Sequence, residues 1–120
     1  MALDEEIAAL TGGMLGKTLY VVMSKGRGAD LKPHLPEHLR YMIALEKEGK
    51  LFASGPFDSG ASGDGMTILR VASKDEADAI AQRDPFVIAG VRAFEIREWT
   101  LMEGSFGMTV HFSDRSVMIA

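Results

Sequence analysis

A chain of 120 residues, 47% hydrophobic and 25% charged, is long enough for one ordinary globular domain with its own core. It has no cysteine, which excludes disulfides and thiolate metal sites and fits a reducing compartment. A net charge of -4 argues against a sequence-independent grip on nucleic acid, and no apolar run approaches a membrane span.

The N-terminal stretch MALDEEIAALTGG carries acids where a signal peptide needs Lys or Arg, so the expected location is cytoplasmic. Residues 4–10 read as a short helix, with Asp4, Glu5 and Glu6 well placed in its first turn. Ile7 and Leu10 give it a small apolar edge, and residues 1–16 are expected to form an arm outside the main domain. The GKT at 16–18 is not a phosphate-binding loop. That motif needs four residues between its glycines, whereas Gly12 and Gly16 enclose three, and here a strand follows instead of a helix.

Thr18–Ser24, TLYVVMS, is β-branched, aromatic and nearly unbroken in apolarity, which predicts a central strand buried on both faces. The following GRGAD lacks the third glycine of a dinucleotide fingerprint, since position 31 is Leu31, and is a loop.

A helix is predicted from Pro36, a residue suited to the first helical position. At 100° steps His38, Leu39, Met42, Ile43 and Leu45 share one arc, which turns the His38 imidazole toward the sheet. Glu46 also falls on that arc and is read as reaching outward at a helix end. Gly49 is the stop, with Lys47 and Lys50 near the negative end of the dipole.

Leu51–Ser54 is a short strand running into Gly55-Pro56. The helix-free loop FDSGASGDG leads to a second strand, Met66–Ala72, and the two form a long-looped hairpin. Its glycines lie in acidic surroundings, which favours a mobile lid over a phosphate cradle.

Ser73-Lys74-Asp75-Glu76 is a capping box opening a helix to about Arg83, with Ala77, Ile80 and Ala81 as its buried stripe. Pro85 pushes Asp84 out of helical geometry and ends that helix. Asp84 points inward, as Ile80 and Ala77 do. Phe86–Ala89 is one more helical turn. Val91–Leu101 is a long strand, with Val91, Ala93, Phe94, Ile96, Trp99 and Leu101 set against Arg92, Glu95, Arg97, Glu98 and Thr100. Met108–Phe112 and Ser116–Ile119 form a C-terminal hairpin.

The order β-α-β-β-α-β over residues 17–103 is the split βαβ arrangement, a ferredoxin-like α+β fold with both helices on one sheet face. The C-terminal β-hairpin, residues 104–120, extends it. The uncovered face predicts a homodimer in which two sheets meet.

The strand LYVVM, the helix HLRYMIALEKEGKL, the turn ASGP and the segment DPFVIAGV, in this order and spacing, resemble the YCII (YciI-like) family over about residues 18–102. The resemblance implies the dimeric α+β barrel superfamily, which includes muconolactone isomerases and cofactor-free monooxygenases. It also implies a histidine and an aspartate as an active-site pair, matched here by His38 and Asp84. Many members carry a basic residue three positions before that histidine. This chain has Leu35 there, with His34 just ahead of it as the substitute.

The chemistry of the pair is direct. An imidazole moves protons near neutral pH, and a carboxylate on one ring nitrogen fixes its tautomer. No serine or cysteine nucleophile stands beside it. The expectation is a cofactor-free lyase or isomerase acting on a small organic acid or aromatic compound, with catalytic His38 and Asp84. Ser54, Gly55, Pro56 and His34 would line the ligand site. The opposing reading makes His38 a core histidine, Asp84 a simple cap before Pro85, and the protein a small-molecule-binding module without chemistry. Pro36 spoils a metal site from His34, His38 and Asp84, because the helix starts after His34.

Overall fold

A computed structural model describes residues 2–120. Residues 18–100 form one compact unit, and the terminal segments, up to Lys17 and from Leu101, form a second. Ten regular elements follow one another: α1 (Leu3–Thr11), β1 (Lys17–Gly26), α2 (Leu35–Lys47), β2 (Leu51–Pro56), β3 (Gly65–Leu69), α3 (Lys74–Gln82), α4 (Pro85–Ile88), β4 (Arg92–Leu101), β5 (Met108–Val110) and β6 (Val117–Ile119). Short 3-10 turns occupy Lys32–His34 and Asp58–Gly60, so the glycine-rich loop is not free of helical structure. No helix among the described residues is long and apolar enough to cross a membrane.

The central sheet has the order β2-β3-β1-β4, with β3 antiparallel to both β1 and β2. Two-residue alternation along β1 turns Tyr20 and Val22 toward the helices. There they pack with Leu69, Ala77 and Ala81, and Leu51, Val71, Ile80, Phe94 and Ile96 close around them. The alanines of α3 let its backbone approach the sheet. On the other face Leu19 is fully buried but Met23 is 37% exposed, so β1 is not sealed on both sides along its whole length.

One irregularity decides which residues of β2 face the helices. Leu51 pairs with Leu69 but Ala53 pairs with Ile68, so Phe52 is an extra residue, a β-bulge. A one-residue slip exchanges the faces of everything beyond it. Leu51 therefore packs in the core, and Ser54, opposite Thr67, also lies on the helix side.

α2 ends in a Schellman turn. Lys50 N–H donates to Leu45 O and Gly49 N–H to Glu46 O, with Gly49 at φ 77°. Met42 and Leu45 are the buried residues of α2, whereas Leu39 and Ile43 are 48% and 50% exposed. The apolar arc predicted for this helix is thus wider than the surface it covers, and its Leu39–Ile43 edge stays in solvent. Glu46 is exposed, as the helix-end reading requires.

β4 obeys parity, not hydropathy. Arg92 is buried and Phe94 and Ile96 are half-buried, alternating with exposed Ala93, Glu95 and Arg97. The sequence grouping had put Arg92 outside and Ala93 inside. It followed residue type from Val91, which precedes the strand and donates its N–H to Phe86 O. Trp99, also predicted inward, is 39% exposed.

In the second unit α1 has no buried residue, β5 and β6 pair in register from Met108–Ile119 to Val110–Val117, and Leu15 N–H donates to Met102 O.

Tyr41 Oη donates to Ile80 O at 2.7 Å and pins α2 to α3. Burial raises the Tyr41 pKa, and a nearby Arg83 partly opposes this. Tyr41→Phe is expected to cost about 1 kcal/mol at neutral pH, the net worth of one such bond. The protonated hydroxyl is favoured in the folded state, so its contribution is whole below about pH 10 and lost as pH climbs through the raised pKa. Urea unfolding of both proteins across that range should show the stability gap closing.

Candidate functional site

The site forms where the start of α2 meets the Asp84-Pro85 corner. Pro85 cannot donate a backbone N–H and fixes its own φ, so the chain breaks at Asp84 and restarts as α4. Asp84 is the N-cap: its Oδ1 accepts Phe86 N–H at 3.0 Å, and its carbonyl accepts Val87 and Ile88 N–H at 2.8 and 2.9 Å. His38, in the first turn of α2, donates Nδ1–H to the same Oδ1 at 2.7 Å. A carboxylate only accepts, so Nδ1 carries the proton of this bond, and in the neutral ring Nε2 keeps its lone pair. A single carboxylate oxygen thus both caps α4 and holds the imidazole.

Phe86 holds the ring in place. It is 1% exposed, and His38 stacks on it with centroids 4.1 Å apart and planes 18° from parallel. The side chains of His38 and Asp84 are each 12% exposed. Among the described residues Nε2 of His38 has no protein hydrogen-bond partner, and no fully sealed side-chain nitrogen or oxygen lacks one. The free nitrogen therefore reaches solvent.

Arg92 joins this cluster. Its guanidinium lies 4.7 Å from the centre of the Phe86 ring and its Nε–H donates to Gly63 O at 2.8 Å. Burial lowers its pKa, while the charges of Asp84 and Asp64 work the other way. Strict two-residue parity back from Ile96 and Phe94 was the signal that could have found it.

The other nominated residues make no hydrogen bond to the pair. Ser54 is exposed on the edge strand, across from Thr67. Gly55 and Pro56 follow it there, opposite Met66 and Gly65. His34 occupies the N-cap position of α2 without making a side-chain capping bond. None of the four bonds His38 or Asp84.

A crevice of ≈ 20 Å³ touches Asp84, between Val22, Ser24, Thr67 and Tyr41. That volume suits about one water molecule. A broader hollow of ≈ 410 Å³ lies along Met23, Phe57, Asp64, Ala93 and Glu95 and does not include the imidazole. The larger space is thus not where the proton-handling groups are. Among the described residues no three His, Cys, Asp or Glu side chains gather in a way that could hold a metal ion.

A ferredoxin-like α+β domain with an imidazole–carboxylate pair at a helix junction defines the class, and the comparisons define the family. The YCII-related domain matches residues 18–100, and the chain belongs to that family. It is 36% identical over 84 residues to Protein YciI of Escherichia coli O6:H1, covering 61% of this chain and 86% of that protein. It is 35% identical over 68 residues to the uncharacterized protein YjpA of Bacillus subtilis, covering 57% and 78% respectively. Among solved structures it is similar to 5-chloro-2-hydroxyhydroquinone dehydrochlorinase (TftG) of Burkholderia phenoliruptrix, in complex with 2,5-dihydroxybenzoquinone. The TM-score is 0.55 at 23% identity, covering 68% of this chain and 92% of that one, a likeness of fold.

Asp84→Ala removes both the cap and the imidazole's partner and is expected to cost about 3 kcal/mol. Asp84→Asn keeps an acceptor for Phe86 N–H and should lose only about 1 kcal/mol. Urea unfolding gives both values, and faster exchange of the Phe86 amide in the alanine variant alone would locate the damage.

Proposed function

We propose that this protein is a cofactor-free enzyme that moves a proton on a small organic acid or aromatic compound, of lyase or isomerase type. His38 Nε2 is the general base or acid, and Asp84 orients the ring and stabilises its cationic form. The observation that carries this reading is the 2.7 Å bond from His38 Nδ1–H to Asp84 Oδ1, with Nε2 left without a partner among the described residues. Such a pair takes a proton from carbon or oxygen and returns it elsewhere, and among the described residues no hydroxyl hydrogen-bonds the imidazole as acyl transfer needs. Loss of hydrogen chloride, the reaction named for the structural neighbour, is compatible chemistry, since an elimination begins with a base.

The crevice at Asp84 is too small for a substrate. Ligand therefore meets Nε2 from its open side; separately, we propose a homodimer whose sheets meet through the face that carries Met23 and Ala93, opposite the helices. A second reading, ligand binding without chemistry, draws on the capping bond: Asp84 has a structural task even without the imidazole.

Incubation with a panel of cyclic and halogenated aromatic acids in deuterium oxide, read by mass spectrometry, separates the two. The proton-transfer reading expects deuterium uptake or a mass change with the wild type, and about 10²–10⁴-fold slower change with His38→Asn. Equal rates in the two proteins would remove it, and ligand recovered intact would favour the binding module.

A further inference from the structure

We propose that Arg92 is an anion-binding residue that holds a ligand carboxylate beside His38. This names the group recognised at the site of the proposed proton transfer and rests on that reading for its place in a reaction.

The Arg92 charge has no directly paired carboxylate, although Asp84 and Asp64 act on it across space. Arg92 is 8% exposed, yet among the described residues no carboxylate lies within 4.0 Å of its guanidinium. An arginine this buried is ordinarily matched by an acid, because a desolvated charge without a partner is costly. Here Nε–H alone is used, on Gly63 O. Among the described residues neither Nη nitrogen has a protein hydrogen-bond partner, and neither is sealed from solvent. The flat guanidinium therefore presents unused N–H groups toward an open side. That fork matches the two oxygens of a carboxylate.

The surroundings are shaped to keep the guanidinium there. A Cβ at residue 65 would stand 3.0 Å from Nη2, so Gly65 leaves the space the guanidinium needs. One aromatic ring, Phe86, carries both the cation, at 4.7 Å, and the His38 imidazole, at 4.1 Å. The charge of Asp84, which holds the imidazole, also acts on Arg92, so the rest of a small acid bound at the Nη groups is placed toward Nε2. The competing role is purely structural, a tie to the loop at Gly63 through Nε.

Titration with benzoate, and with neutral benzamide as control, followed by the His38 ring and Arg92 Nε–H resonances, tests the site. The expected result is saturable shifts with benzoate and none with benzamide. Arg92→Gln should weaken benzoate at least tenfold, and Arg92→Lys, which keeps the charge but not the fork, should weaken it less. A structural tie alone would move the Gly63 resonance in these variants and leave benzoate affinity unchanged. Absence of saturable benzoate binding to the wild type, or equal affinity in folded Arg92→Gln, overturns the proposal. His38→Asn separates the two ideas. It should bind benzoate within about threefold of wild type whatever its turnover, so a failure of the proton-transfer reading leaves the anion site to be judged on Arg92 alone.

Discussion

One oxygen atom carries the junction on which the candidate site depends. Asp84 Oδ1 accepts from the backbone at the start of α4 and from the imidazole at the start of α2. The first bond is local, a consequence of an aspartate standing before a proline. The second joins residues far apart in the sequence. Because the local bond holds the carboxylate already, little side-chain freedom remains to be lost when the imidazole docks. The pair is thereby rigid for a reason independent of any ligand, which is what a proton-transfer group needs in order to keep its aim.

Phe86 extends that constraint. Its backbone N–H is capped by Asp84, its ring supports His38, and its face receives the Arg92 guanidinium. Three chemically different neighbours meet on one buried aromatic residue two positions past the cap. The capped α4 turn, short as it is, fixes where both the imidazole and the cation can be.

Much of this was readable from the residues. The Ser73 cap accepting from Glu76 N–H, the break at Asp84-Pro85 and the stop at Gly49 are local chemistry, and the structure has them where the sequence puts them. His38 and Asp84 were nominated by wheel geometry and family resemblance, but their meeting depended on how two helices lie, which no local rule determines. Arg92 was missed because charge was taken as a sign of exposure, whereas strand parity is indifferent to charge. The exposure of Leu39 and Ile43 was missed for a related reason: an apolar arc says what a helix can cover, not how much surface is offered to it.

The bulge at Phe52 has a bearing on how this strand tolerates change in length. Removing that one residue would restore unbroken pairing and leave Ser54 opposite Thr67 on the same side of the sheet, whereas regular pairing carried through Phe52 would turn Ser54 to the other side and bring Ala53 round in its place. In a chain without the extra residue the hydroxyl stands two positions past the leucine instead of three, and shares its side. A gap at Phe52 itself is therefore neutral for the faces of the residues beyond it, and a gap at any regularly paired residue of the strand is not.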